Sequence, residues 1–333
     1  MKDLHSRRMD VLFRYFQSRF MPLLHRIGVH GMFLSSSINC IGCTPLVRLQ
    51  GIERQYGLKA ELYAKLEMYN LAGSVKDRAA LYMLDDAKRR GLLKKGGKVV
   101  EATSGNTGIG LACVCALKGY SFTAVMPNTA SRERIALMKA YGAEVVLTDG
   151  AGGMPVAIEK AKQIVQEQNA FCPDQFSNPA NALAHYETTG VEIYRDLPTV
   201  QAFVAGIGSG GTISGVGRYL KEQNPSIQVV GVEPSASPFL TEGRAGAHGI
   251  QGIGAGFLPK TLDTSVLDEV LCVEDADAYK CARELAKSDG IFAGISSGAA
   301  LDVAIRLAQR EAYAGKRLVV LFPDGGNRYL SLL

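Results

Sequence analysis

The chain has 333 residues, 47% of them hydrophobic, and a formal net charge of +5 at a sequence pI near 8.7. That supplies a large core and more length than one compact lobe needs, so two lobes of α/β type are expected. Much of the positive excess lies in the first 36 residues, where Lys2, Arg7, Arg8, Arg14, Arg19 and Arg26 face only Asp3 and Asp10, and the nearly neutral remainder excludes the basic stripe a nucleic-acid face needs.

In chain order, VLFRYFQSRFMPLLHRIGVHGMF (Val11 to Phe33) comes first, mixing large apolar residues with Arg and His. It reads as a peripheral amphipathic extension, or as sequence ahead of a translation start at Met32. No run of about eighteen apolar residues exists, which excludes a transmembrane helix. Seven irregularly spaced cysteines indicate reduced thiols in a cytoplasmic protein. Cys40-Ile-Gly-Cys43 has the spacing of a zinc half-site, but a site needs two more ligands. Cys113 and Cys115, two apart on a helix, point to different faces, so no metal is expected.

From about Ile41 onward, short apolar runs alternate with helical periods. ELYAKLE (Glu61 to Glu67) predicts a strand, and SVKDRAALYMLDDAKRRG a helix with Ser74 as N-cap and Gly91 as its stop. KVVEA predicts a strand, followed by TSGNTG and the helix IGLACVCALKGY. SFTAVMP, AEVVLTD, AFVAGIG, IQVVGVEP, DEVLCVE and RLVVLFP are further strands. This rhythm implies parallel sheets covered on both faces, with ligands beyond the carboxyl ends of the strands. Four turns there, NLAGSVKDR, EATSGNTGIG, GIGSGGT and AGISSGAA, each open a helix. Helix N-termini aimed at one cleft make an anion site, because unpaired N–H groups and the positive dipole end coincide.

Gly206-x-Gly208-x-x-Gly211, with Glu233 about twenty residues on, satisfies the local recipe for a dinucleotide-binding turn. Two readings compete with a dehydrogenase: glycines that merely permit a tight turn, and a cradle for one phosphate completed by Thr212. The histidines beyond the extension, His185 and His248, lie in no obvious catalytic turn. Lys76 sits at the third position of its predicted helix. There it is either a solvated charge or an amine whose pKa the dipole and burial lower until it attacks a carbonyl.

GCTPLVRL, KLEMYNLAGSVKDR, EATSGNTGIGLA, DQFSNPANALAHYETTGVEI, GIGSGGTISGVGRYLKE, QGIGAGFLP, GIFAGISSGAA and PDGGNRYLS run in order from Ile41 to Leu330. With them the chain resembles the pyridoxal-phosphate enzymes of the tryptophan-synthase-like fold (fold type II), most closely the cysteine synthases, or O-acetylserine sulfhydrylases. The resemblance implies two three-layer αβα subdomains with mostly parallel sheets, one about residues 80–180, the other 37–79 plus 181–333. It also implies that Lys76 carries the cofactor as an internal aldimine and serves as general base, that Asn106 bonds the cofactor's ring oxygen, and that Gly208, Ser209, Gly210, Gly211 and Thr212 cradle its phosphate. Ser296 would face the pyridine nitrogen. A neutral hydroxyl there leaves the nitrogen largely unprotonated, a weaker electron sink suited to expelling a β-leaving group. Thr103, Ser104, Gly105 and Thr107, with Gln175, would bind the substrate carboxylate.

The implied reaction is β-replacement through an aminoacrylate: O-acetyl-L-serine and sulfide give L-cysteine and acetate. Serine, cysteine or O-phosphoserine remain open as donors, and thiosulfate or homocysteine as nucleophiles, because GSVKDR and LAHYETTG equally resemble the cystathionine β-synthase and cysteine synthase B branches. Ser209 stands where threonine is frequent, and EATSGN replaces EPTSGN. The ending soon after RYLS predicts no regulatory domain, and the lead-in offers no haem ligand pair. Arg244, near QGIGAGF, is a candidate for reading a charged group. The resemblance further implies a cytoplasmic homodimer acting on small molecules, with a possible serine acetyltransferase contact. Because Lys76, Asn106 and Ser296 are all retained, a catalytically dead relative is disfavoured.

Overall fold

The structure is a computed structural model and describes residues 34–332. The chain divides into residues 1–39 and Cys40–Leu333, and the second unit holds every strand and α-helix of the described residues. The sequence readings at Val11 to Phe33 and at Met32 lie outside the described residues.

The elements in chain order are β1 (Leu46–Arg48), α1 (Gln50–Tyr56), β2 (Glu61–Leu66), α2 (Lys76–Arg89), β3 (Lys98–Ala102), α3 (Asn106–Lys118), β4 (Ser121–Pro127), α4 (Arg132–Ala140), β5 (Glu144–Thr148), α5 (Gly153–Gln168), α6 (Pro179–Ala184), α7 (Val191–Asp196), β6 (Ala202–Gly206), α8 (Gly211–Gln223), β7 (Gln228–Pro234), α9 (Phe239–Glu242), β8 (Glu269–Val273), α10 (Asp275–Ser288), α11 (Ile295–Ala308) and β9 (Arg317–Phe322). Every strand expected from the apolar runs is present. The short β1, which no apolar run announces, pairs antiparallel with β2 at the edge of an otherwise parallel sheet.

Two sheets form: β1-β2-β9-β6-β7-β8, and β3-β4-β5. Alternation along the strands shows both to be covered on two faces. In β9, Leu318, Val320 and Phe322 enter the core beneath α10 and α11, whereas Val319 and Leu321 enter the core that holds Ile213, Val216 and Leu220 of α8. In the smaller sheet, Phe122, Ala124 and Met126 of β4 meet Ile109 and Leu111 of α3, and Val125 faces Ala157, Ala161 and Ile164 of α5. A period of two with both faces apolar is what parallel strands between helical layers require.

The helix predicted from Ser74 begins two residues later, at Lys76, with Val75 as its N-cap. Ser74 is held extended instead, in an isolated bridge with Asp324, while its Oγ still accepts the Lys76 N–H (3.3 Å) and so does part of a cap's work. Lys76 is therefore the first helical residue, not the third. At the other end Arg90 is the C-cap, and Gly91 follows at φ +73°, the left-handed region a glycine tolerates.

Candidate active site

Parallel strands deliver their loops to one end of a sheet, and here those loops wall a cleft of about 1210 Å³. Lys76, Thr103, Ser104, Gly105, Asn106, Thr107, Gln175, Gly208, Ser209, Gly210, Thr212 and Ser296 all line it. Gly211, the remaining site residue expected from the sequence, lies behind the wall, against Asn181. Helices α2, α3, α8 and α11 begin at this cleft, so four sets of unpaired N–H groups surround it.

Lys76 is half-buried, and its Nζ lies 3.4 Å from Ser209 Oγ. Burial lowers the ammonium from the ordinary 10.5 to about 8, because a desolvated cation is disfavoured against its neutral amine. The loop ahead of it is tied down: Val75 N–H donates to Pro323 O (2.8 Å) and Ala72 N–H to Asp77 Oδ2 (2.7 Å).

The glycine turn after β6 is as tight as its sequence suggests. Gly210 stands at φ +84°, and a Cβ there would meet Leu262 at 2.6 Å. A Cβ at Gly208 would strike Gly252 O, and one at Gly211 would strike Asn181 Oδ1. Asn181 Nδ2 donates to Ser209 Oγ (2.9 Å) and to Gln175 O (2.8 Å), while Thr261 Oγ1 donates to Ser209 O. Thr212 Oγ1 lies 3.3 Å from Nε2 of the fully buried His185, whose pKa burial drives well below its ordinary value, leaving a neutral ring.

On the opposite wall, Thr107 Oγ1 donates to Gln175 Oε1 (2.6 Å), and Gln175 N–H reaches Glu101 Oε1 (3.5 Å). Burial pushes the Glu101 carboxyl up to about 7 despite N–H donors from Asp174 and Gln175. Asn106, the first residue of α3, donates from Nδ2 to Asp324 Oδ2 (2.6 Å) and accepts from Arg328 at Oδ1. Tyr329 OH donates to the same Asp324 oxygen (2.6 Å), and Arg134 covers the Tyr329 ring, 5.2 Å from its centroid. Ser296 is the second residue of α11 and is buried.

The competing sequence readings lose their residues. Glu233 is buried and takes the N–H groups of Leu240 (2.8 Å) and Thr241 (3.0 Å) and the Thr241 hydroxyl (2.6 Å), so both its carboxylate oxygens are engaged in capping α9. Arg244 is exposed, pairs with Glu242 (3.0 Å), and is not part of the cleft wall. His248 bonds Gly254 O (3.2 Å). Cys40, Cys43, Cys113 and Cys115 are all free thiols, the latter two buried. Asn181, His185, Asp324, Arg328 and Tyr329 carry the support of the site, and sequence reasoning assigns none of them a role. The only signal is that they sit inside the stretches DQFSNPANALAHYETTG and PDGGNRYLS.

A primary amine, a glycine turn at a helix N-terminus and a buried hydroxyl at a second one, all on a single cleft of an α/β fold, are chemically suited to a phosphorylated aldehyde cofactor. The chain belongs to the family described as pyridoxal-phosphate dependent enzyme, whose sequence model matches residues 38–324. Within that family it is 50% identical over 293 residues to a cysteine synthase of Staphylococcus aureus strain Mu50, covering 87% of this chain and 94% of that protein. Among solved structures it resembles a hydrogen sulfide-producing enzyme from Fusobacterium nucleatum (45% identity, TM-score 0.85, 90% of this chain and 100% of that one). It also resembles O-acetyl serine sulfhydrylase isoform 3 from Entamoeba histolytica (41% identity, TM-score 0.88, 91% and 92%).

The donor set fits the cofactor. Gly208 and Gly211 let the turn pack closely on Gly252 and Asn181, and among the described residues the amides of 208–212 have no backbone acceptor, as a phosphate at the α8 N-terminus requires. The wall also carries a buried hydroxyl, Ser296, and an amide donor, Asn106.

Proposed function

We propose that this enzyme catalyses β-replacement on an O-activated L-serine, with O-acetyl-L-serine and sulfide giving L-cysteine and acetate. The observation that carries the reading is the placing of the Lys76 amine, at a pKa of about 8, on the same cleft as the α8 turn and the Thr103–Thr107 loop. Bound pyridoxal phosphate supplies an electron sink that lets an amino acid lose a proton from Cα and a leaving group from Cβ. The chain's own residues supply the rest. The amides of Gly208 to Thr212 would hold the phosphate, and the Ser296 hydroxyl would meet the ring nitrogen without charging it. Asn106 donates to the ring oxygen. The α3 N-terminus, the Thr103, Ser104 and Thr107 hydroxyls and Gln175 hold the substrate carboxylate, with no buried cation needed.

Lys76 would hold the cofactor and would move the proton at the substrate's Cα. An amine with a pKa near 8 is matched to that task at neutral to mildly alkaline pH, where both its protonation states are populated. The 50% identity to a cysteine synthase supports the donor and the nucleophile. The subunit arrangement as a cytoplasmic homodimer, a serine acetyltransferase contact, and a division into a lobe of about 80–180 and one of 37–79 plus 181–333 are proposed from the resemblance.

The test supplies O-acetylserine, O-phosphoserine, serine or cysteine with sulfide or homocysteine and quantifies product by mass spectrometry. Cysteine formed fastest from O-acetylserine and sulfide, and absent with Lys76→Ala, is the expected result. Faster release of sulfide from cysteine would move this chain toward the hydrogen sulfide production of the Fusobacterium relative.

A further inference from the structure

Asp324 stands where the proposed cofactor-binding elements meet. It follows β9, bridges Ser74 ahead of Lys76, accepts the Gly294 N–H at its backbone oxygen (3.0 Å) just before α11, and bonds Asn106 of α3 through its side chain. It is fully buried, and a Cβ at Gly294 would collide with its Oδ1, so the carboxylate has no room to turn away.

The consequence falls on the Asn106 amide. A guanidinium donates only, which turns the amide oxygen to Arg328 even though burial raises the Asp324 carboxyl above its ordinary range. With Asp324 on one side and Arg328 on the other, the amide has a forced sense: Nδ2 toward Asp324, Oδ1 toward Arg328. One of its two N–H bonds is spent on Asp324, and the other remains for the cleft. Asn106 therefore has one N–H free to offer a ligand in the cleft.

We propose that Asp324, with Arg328, is a positioning residue for Asn106, fixing its amide so that a single N–H meets an oxygen acceptor on the bound cofactor. The proposal rests on the reading of Asn106 as a cofactor contact. Tyr329, by donating to the same Asp324 oxygen, holds the carboxylate in line with the amide (2.6 Å).

The experiment uses full-length apoprotein titrated with pyridoxal phosphate, following the visible absorption band and the apparent Kd, for Asn106→Ala, Asp324→Ala, the double variant and Arg328→Leu. Each single variant is expected to weaken binding about tenfold and to shift the band in a common direction, since a charge-assisted hydrogen bond is lost or left unaimed. The double variant is expected to be no worse than the worse single one. Asp324→Leu keeps much of the side chain's bulk but removes the acceptor, and it carries the same expectation should Asp324→Ala not fold. Multiplying effects in the double variant, or wild-type band and Kd in both Asp324 variants, would overturn the proposal. An unchanged Asn106→Ala would instead sink the reading of Asn106, and this inference with it.

Discussion

At Lys76 the fold lowers the pKa of an amine and loses stability in doing so. Its folded pKa of about 8 lies below the ordinary 10.5, so the ammonium is penalised in the folded state. That penalty is full below pH 8 and disappears as pH rises past 10.5, where both states carry the neutral amine. Apoprotein with Lys76→Met is therefore expected to be more stable than wild-type apoprotein at pH 7, by up to about 3 kcal/mol, in urea unfolding. The gain should vanish near pH 11, about half a unit above the ordinary lysine value; a variant less stable at pH 7 would show that the lysine is not strained. Lys76 and Asn106 are legible in the sequence because each sits in a short glycine-flanked stretch opening a helix. Asp324 and Arg328 lie within PDGGNRYLS but have no role readable there, because their bonds to Asn106 span 218 and 222 residues.

Among the elements, the turn into α8 shows best what a motif can and cannot say. Its glycines permit close approach to an anion, and nothing in Gly206-x-Gly208-x-x-Gly211 specifies one phosphate over two. Around it, Glu233 at the end of the next strand caps α9, and Asn181 of α6 braces both Ser209 and Gln175. Gly211 is packed so closely on Asn181 that an added methyl group must displace it. Gly211→Ala is expected to weaken pyridoxal-phosphate binding by at least about tenfold, or 1.4 kcal/mol, while secondary structure by circular dichroism stays unchanged. Wild-type affinity would mean that the turn tolerates a shift of Asn181 and that the brace is not what shapes it. The start of α2 departs by two residues from its sequence signal for a related reason: Ser74 has the chemistry of an N-cap, but its backbone is claimed by the bridge to Asp324.

Across the whole molecule, the alternation of strands and helices is readable because each strand's apolar run and each helix's period are local. The sheet order is not, since the pairing of β2 with β9 sets Glu61 against Arg317 and no local pattern encodes that partner. Beside the site a buried charge network ties β2 and the segment after it to α2 and α7. Arg78 of α2 donates to Glu67 after β2 (2.7 Å) and to Glu192 of α7 (2.7 Å), while Lys65 of β2 pairs with Glu192 (2.7 Å) and donates to Thr44 O (2.6 Å). Burial alone would raise the Glu192 carboxyl, but the hydrogen bonds and charge of Arg78, with the charge of Lys65, prevail and hold it at about 2. Removing the guanidinium leaves the buried Glu67 without a cation and Glu192 with Lys65 alone, so Arg78→Met is expected to cost about 3 to 5 kcal/mol at neutral pH. A carboxylate with a depressed folded pKa stabilises above its unfolded value and ceases to as pH falls through the folded one. The gap between wild type and variant should thus be wide above the ordinary 4.5 and close toward pH 2, as read by urea midpoints at a series of pH values. A gap that survives unchanged at pH 2 would mean that Arg78 stabilises through the packing of its side chain and not through its pairing with Glu192.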